Sequence, residues 1–217
     1  AHRGMAQTFS MEGIEWDTCT AEQIYKPVHS FIENTIPSMK AAFQTGADTV
    51  EFDIKRTKDK QFAVFHDFDL SCRTNSKGSP SDFTMDELKQ LDVGYGYTAD
   101  GGETFPLRGK GIGLMPSLTE VLSTFPDQSL LIHIKSSAHQ DGELLAYYLE
   151  KIPKEQMKQL TVYGDNEPIK VLKEKLPGLR VMSMDTMKSC LLPYLAVGWT
   201  GYIPQACEHT QIHLPEK

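Results

Sequence analysis

Short apolar runs of strand length alternate with stretches of helical period along this chain, and that alternation limits the fold more than any other feature. Ala1–Gly4 reads as the tail of a first strand, followed by an irregular segment over 5–34. The periodicity predicts a helix over Thr35–Thr45, with Ile36, Met39, Ala42 and Phe43 on one side and Gly46 as its stop. Further strands are predicted at Val50–Lys55, Phe62–His66, Leu130–Lys135, Leu160–Tyr163 and Arg180–Met184, with a short one at Gly201–Pro204. Helices are predicted at Thr84–Leu91, from Ser117 to Phe125, and at Gly142–Ile152, Glu167–Leu176 and Met187–Val197. Two of them open with capping boxes, Thr84-x-x-Glu87 and Ser117-x-x-Glu120. Such an order favours a parallel sheet with right-handed crossovers. An eight-stranded barrel takes about 250 residues, so a chain of 217 leaves a barrel short of its closing units. A doubly wound open sheet competes, but no G-x-G-x-x-G follows the first strand. One domain spanning 1–217 is expected, with the polar, Gly-rich residues 68–115 inserted in it.

Composition narrows the function classes. Apolar residues make up 40% and charged residues 24%, which excludes disorder, collagen and coiled coil. The longest apolar stretch, Leu191 to Trp199, is far short of the ~20 residues that cross a bilayer. A net charge of −7 and the lack of a basic stripe argue against a nucleic-acid partner. Both ends read as cut from a longer chain, so the lack of a targeting signal carries no weight. Cys19, Cys72, Cys190 and Cys207 form no C-x-x-C motif. They read first as free thiols, with room for one or two disulfides if the compartment, which stays open, is oxidising.

The chemistry concentrates at strand ends. In Val50-Glu51-Phe52-Asp53-Ile54 the side chains alternate faces, so Glu51 and Asp53 share one face ~6–7 Å apart. Two carboxylates this close on an apolar strand call for a positive partner, and a hard divalent cation fits oxygen donors at that spacing. The bland alternative is a solvated edge face. His66 ends the next strand, His2 and Arg3 end the first, and His133 shares a face with Lys135 on Leu130–Lys135. In parallel sheets catalytic groups gather at the carboxyl ends of strands. Two imidazoles suit acid–base work near neutral pH, a carboxylate-held metal orients an oxygen nucleophile, and Arg with Lys offsets developing negative charge. The set fits phosphoryl transfer on a small anionic ester.

These residues sit in an ordered series of motifs. Ala1-His2-Arg3-Gly4, Glu33-Asn34-Thr35, Gly46-Ala47-Asp48-Thr49-Val50-Glu51-Phe52-Asp53-Ile54, Thr57-Lys58-Asp59, Val64-Phe65-His66-Asp67, Cys72-Arg73-Thr74 and Ile134-Lys135 resemble the glycerophosphodiester phosphodiesterase family. Gly94–Gly102 through Arg108–Gly111 is similar to one bacterial branch of it. The resemblance covers about residues 1–135. It implies an α/β TIM (β/α)8 barrel of the phospholipase C-like phosphodiesterase type, with an insertion after the third strand and the closing strands absent from this chain. It implies a phosphoric diester hydrolase that turns glycerophosphodiesters into an alcohol and glycerol 3-phosphate. His2 and His66 would be the acid–base pair, and Glu51 and Asp53 the ligands of Mg²⁺ or Ca²⁺. Arg3 and Lys135 would hold the phosphate, with Glu33 at the substrate rim. In the family mechanism the neighbouring glycerol hydroxyl attacks phosphorus, and the cyclic phosphate is then hydrolysed. The expected partner is the small-molecule substrate. Membrane contact and oligomeric state stay open.

Three departures from the family pattern stand out. His133 occupies a position where a third acidic ligand is usual; as a metal ligand it would lower the site charge and favour Mn²⁺ or Zn²⁺. The segment over 5–34 is long, and Phe9, Met11, Ile14 and Trp16 are expected to cover the mouth of the site. The last strands are missing. Two rival functions remain: a lysophospholipase D-like or sphingomyelinase D-like enzyme on the same barrel, and a non-catalytic ligand-binding barrel. A Cys19–Cys72 bridge would pin the long loop, and His29 would approach the site through it. Met182, Met184 and Met187 read as core gap-fillers, and His139, His209 and His213 as surface residues.

Overall fold

The computed structural model describes residues 1–15 and 18–210, so the expectations for Trp16 and His213 lie outside the described residues. Two compact units are present, Ala1–Pro126 and Asp127–Lys217.

In the first unit Thr35 caps helix α1 (Ile36–Gln44) through a capping box with Ser38, and Pro37 sits in the first turn. The helix buries Met39, Ala41 and Ala42 and stops at Gly46, whose φ of 97° a side chain would resist. Strand β1 (Thr49–Arg56) follows, with all six interior residues buried on both faces. The backbone N–H of Glu51 donates to the Ala1 carbonyl at 2.8 Å, and His2 bridges Glu51 in parallel. The expected first strand is thus a single bridge.

Strand β2 (Phe62–Val64) runs antiparallel to β1, in register Ile54↔Val64, Lys55↔Ala63 and Arg56↔Phe62. This corrects the parallel order expected here. The five residues Thr57–Gln61 between them are too few for a parallel crossover, which takes a dozen or more. The turn is set by Lys60 at φ 58° and by the Asp59 carboxylate, which accepts from the Thr57 hydroxyl at 2.5 Å and the Gln61 amide at 2.8 Å. His66 therefore returns alongside β1, and the Phe65 N–H donates to the Asp53 carbonyl at 3.0 Å.

Helices α2 (Met85–Leu88) and α3 (Leu118–Thr124) both carry the capping boxes expected from sequence. The unit's core joins Ile24, Ile32, Phe65, Leu70, Leu88, Tyr97 and their neighbours. Phe9 packs against it, and Met11 is exposed. Phe9 bridges Ile24 in an antiparallel pair. His29 is likewise tied into its own loop, its Nδ1 accepting from the Phe31 N–H at 3.2 Å.

The second unit alternates strictly: β3 (Ser129–Ile134), α4 (His139–Leu149), α5 (Lys154–Met157), β4 (Leu160–Gly164), α6 (Asn166–Lys175), β5 (Arg180–Met182) and α7 (Met184–Val197). β4 pairs in parallel with both β3 and β5, as crossover helices require. Leu130, Ile132, Ile134, Leu160, Val162 and Val181 are buried in the sheet. Met184 opens α7 behind the cap Ser183 and is 58% exposed, so it fills no core gap. The segment expected as a strand at Gly201–Pro204 lies between two 3₁₀ turns. No described helix is long and apolar enough to cross a membrane.

Two disulfides close loops, Cys19–Cys72 in the first unit and Cys190–Cys207 in the second. The free-thiol expectation is thereby corrected. Spacing along the chain could not show that these pairs meet, because tertiary packing brings them together.

Candidate functional site

Strand alternation places Glu51, Asp53 and Lys55 on one face of β1, and burial holds all three: Glu51 is 7% exposed and Asp53 1%. A solvated edge face is excluded. A carboxylate this deep needs charge or hydrogen-bond partners. Asp53 has Asn34, whose amide donates to Oδ2 at 3.1 Å and whose Oδ1 accepts the Asp53 N–H at 3.2 Å. The Arg3 guanidinium adds an ion pair, Nε to Asp53 Oδ2, at 3.3 Å. Glu51 Oε2 accepts the Arg3 backbone N–H at 3.1 Å and lies 3.8 Å from His2 Nε2.

The loop that delivers these groups is conformationally unusual. Arg3 and Asn34 both sit at φ 57°, a left-handed geometry that costs a non-glycine residue roughly 1–2 kcal/mol. Their mutual bond, Asn34 N–H to the Arg3 carbonyl at 2.9 Å, and their carboxylate partners offset it. Gly4 follows at φ 76°, where a Cβ would press on the backbone of Ser38 and Met39. Close approach to α1 therefore requires glycine at this position.

Arg3 also donates to Glu33 Oε1 at 2.9 Å, and Glu33 leads to Arg73, whose Nε stands 3.3 Å from the same oxygen. Arg73 continues to Asp67 through Nη1 and donates from Nη2 to the Thr20 hydroxyl at 2.6 Å. Asp67 Oδ1 is 2.7 Å from His66 Nδ1. A small cavity of about 10 Å³ lies among Glu33, Asn34, His66 and Arg73.

Titration behaviour follows from these pairings. Burial alone would raise the Glu33 carboxyl, but the Arg73 and Arg3 guanidinium groups outweigh it and hold it below the ordinary value. Asp67 is likewise lowered: desolvation opposes, and the hydrogen bond to His66 and the charge of Arg73 prevail. The His2 ring, its side chain 69% exposed, is held below the usual imidazole value by partial desolvation and then by Arg3; the His66 charge is also felt there.

Six of the eight residues expected at the site lie in the first unit and are joined by this chain of contacts. They are His2, Arg3, Glu33, Glu51, Asp53 and His66. The other two belong to the second unit. His133 is half-buried on β3, its ring stacked on Tyr163 with centroids 4.2 Å apart, and Lys135 follows just past the strand end. Sequence reasoning assigned no role to Asn34, Asp67, Arg73 or Thr20. The available signal was the place of Asn34, Asp67 and Arg73 within the motifs Glu33-Asn34-Thr35, Val64-Phe65-His66-Asp67 and Cys72-Arg73-Thr74; Thr20 lies in none of them.

The model of the "Glycerophosphoryl diester phosphodiesterase family" matches residues 2–190. The chain belongs to this family. A glycerophosphodiester phosphodiesterase of Caldanaerobacter subterraneus subsp. tengcongensis is 39% identical over 103 residues, 48% of this chain and 39% of that protein. The chain spans about two fifths of the length of the curated relatives it matches. The crystal structure of the glycerophosphodiester phosphodiesterase from Agrobacterium tumefaciens aligns with a TM-score of 0.57 at 22% identity, over 87% of this chain and 66% of that one. An Oleispira antarctica phosphodiesterase in complex with the product sn-glycerol-3-phosphate aligns with a TM-score of 0.60 at 23% identity, over 83% and 63%. These likenesses show the fold, the TIM-barrel type of the glycerophosphodiester phosphodiesterases, with strands β3–β5 supplying consecutive parallel members of its sheet.

Proposed function

We propose that this chain carries the acid–base and phosphate-binding groups of a divalent-metal-dependent glycerophosphodiester phosphodiesterase that releases an alcohol and glycerol 3-phosphate. The observation behind it is the buried run Asp53–Arg3–Glu33–Arg73–Asp67–His66, with Glu51 and His2 beside Arg3. The Oleispira relative, with sn-glycerol-3-phosphate bound, supports the choice of substrate class.

Glu51 and Asp53 fit a metal by their donor chemistry. Carboxylate oxygens suit Mg²⁺ or Ca²⁺. The four carboxylates Glu33, Glu51, Asp53 and Asp67 outnumber the three cations Arg3, Arg73 and Lys55 around them, which leaves negative charge for a metal to offset. When bound, such a metal would polarise the phosphoryl oxygen and lower the pKa of the attacking hydroxyl. From the sequence pattern alone, His133 is assigned as a further ligand and Lys135 as a phosphate contact.

Arg3 binds the anionic phosphodiester. Asp67 holds the His66 ring through Nδ1, which makes Nε2 the basic nitrogen of the neutral ring. His66 thereby takes the proton of the neighbouring glycerol hydroxyl as that oxygen attacks phosphorus, and His2 protonates the departing alkoxide. Water then opens the cyclic phosphate with the two rings exchanging roles.

A screen of glycerophosphocholine and lysophosphatidylcholine against Mg²⁺, Ca²⁺, Mn²⁺ and Zn²⁺ tests the assignment. Expected is glycerol 3-phosphate release that a chelator abolishes, with His66→Ala lowering turnover by about 10²-fold or more. Exclusive turnover of lysophosphatidylcholine would move the chain to the lysophospholipase D class. No turnover with any metal, together with unchanged ligand binding in His66→Ala, would leave a binding protein.

A further inference from the structure

The Cys19–Cys72 disulfide stands one residue from each partner of a single buried hydrogen bond. Cys72 precedes Arg73 and Cys19 precedes Thr20, and Arg73 Nη2 donates to Thr20 Oγ1 at 2.6 Å. The Arg73 side chain is 3% exposed; besides Thr20 it meets Glu33 at 3.3 Å, Asp67, and the Cys72 sulfur, to which Nη1 donates at 3.2 Å. Asp67 in turn holds the His66 ring.

The planar guanidinium thus connects three segments of the first unit. Thr20 lies in the long loop, Glu33 beside Arg3, and Asp67 next to His66. A guanidinium has a fixed fork of donors, so fixing one nitrogen limits where the others point. The backbone around it is closed from another side: the Tyr95 N–H donates to the Arg73 carbonyl at 3.1 Å, and a Cβ at Gly96 would overlap the Cys72 carbonyl. The Thr20 segment is held on two sides, by the bridge at Cys19 and by Ala21, which is buried and accepts the Thr98 N–H at 2.9 Å. Both cysteines are half-buried.

We propose that Arg73 is a positioning residue for His66 and that the Cys19–Cys72 disulfide locks it, so that reduction of this bond lowers turnover; the claim about turnover rests on the phosphodiesterase reading above. The chemistry is ordinary exchange. A dithiol gives two electrons and two protons to the bond, two cysteine thiols form, and the dithiol becomes a cyclic disulfide. Thr20 then keeps only its tie through Ala21 and shifts from Arg73, Arg73 loses the Thr20 anchor, and Asp67 holds the His66 ring less firmly.

The experiment uses the full chain with Cys190→Ser/Cys207→Ser in the background, so that the first disulfide alone responds to reductant. The background substitution is expected to leave kcat unchanged. Turnover of glycerophosphocholine is measured before and after treatment with dithiothreitol, and again after reoxidation. Expected is a reversible loss of about tenfold in kcat with KM within about twofold, the size of one charged hydrogen bond. Thr20→Val keeps the bridge and removes only the hydrogen bond. It should lower kcat similarly and make the remaining activity insensitive to dithiothreitol. Arg73→Lys should retain part of the activity that Arg73→Ala loses.

A second readout needs no turnover. Nitrogen-15 NMR of the histidine rings should show His66 protonated at Nδ1 in the oxidised protein, and a mixture of tautomers in the reduced protein and in Thr20→Val, with circular dichroism unchanged. Unchanged kcat on reduction, or a His66 tautomer that ignores both reduction and Thr20→Val, overturns the proposal. If the oxidised protein turns over no glycerophosphodiester, the function assignment fails by itself, and the tautomer measurement still decides the positioning role.

Discussion

Arg3, Glu33, Arg73 and Asp67 are stable where they are only as a set. Each guanidinium lies between two carboxylates and Glu33 lies between two guanidinium groups, so removal of one member leaves a buried charge without its partner. The sign of the acid response follows. Glu33 and Asp67 have folded-state values below their unfolded ones. Their stabilisation is therefore complete above the unfolded values, near pH 4 to 4.5, and is lost as pH falls through the lower folded values. Urea unfolding should show this carboxylate loss setting in below about pH 5, on top of the earlier decline that His2, held below the usual imidazole value, brings as pH falls through that value. In Glu33→Gln the decline should be shallower, and the whole curve lower, because both arginines lose an anionic partner. At this scale sequence and structure agree unevenly. Glu51 and Asp53 were legible because strand alternation is local. Arg73 was not, because nothing within five residues marks an arginine as buried; the carboxylates that hold it, Glu33 and Asp67, come from 40 and 6 residues away.

The elements were legible wherever their signals are local. The boxes Thr84/Glu87 and Ser117/Glu120 cap the helices that they announce, and Gly46 ends α1. The direction of β2 was not legible from its own residues, since Phe62–Val64 reads alike in either sense, and the information lay in the brevity of the turn before it. The same return brings His66 beside Asp53, so the hairpin, not the end of a parallel strand, places the proposed base. The segment over 68–115 also shows how tightly such loops are built. Asp92 accepts backbone N–H bonds from Gly94 and Gly111, each at 2.9 Å, and Gly96 lies flush on the Cys72 carbonyl. Gly96→Ala should therefore force the loop off Cys72–Arg73 and cost about 1–3 kcal/mol, a typical overpacking penalty. Thermal unfolding measures that cost. Because Arg73 is displaced with it, kcat should fall further than in an alanine substitution at exposed Gly101.

Across the whole chain, each compact unit holds one disulfide, and the two differ in what they constrain. Cys19–Cys72 spans a sequence separation of 53 and Cys190–Cys207 one of 17. In the chain-entropy account a cross-link stabilises by narrowing the unfolded ensemble, and the effect grows with the logarithm of the closed loop. That gives about 4 kcal/mol for the longer loop and about 3 kcal/mol for the shorter. Cys19→Ser/Cys72→Ser should therefore lower the unfolding free energy by about 1 kcal/mol more than Cys190→Ser/Cys207→Ser, measured in denaturant with both proteins kept from forming new bridges. The catalytic effects should separate much further. The longer loop contains or adjoins Thr20, Glu33, Glu51, Asp53, His66, Asp67 and Arg73, whereas the shorter encloses only the end of α7 and the turns after it. A metal that binds through Glu51 and Asp53 adds its own stabilisation, RT ln(1 + [L]/Kd), or about 2.7 kcal/mol at a concentration of 100 Kd. Mg²⁺ or Ca²⁺ should then raise the melting temperature of the wild type and not of Asp53→Asn. In the protein lacking Cys19–Cys72 the rise should shrink, because a looser Arg3–Glu33–Arg73 network holds Asp53 less firmly in the arrangement that binds the ion.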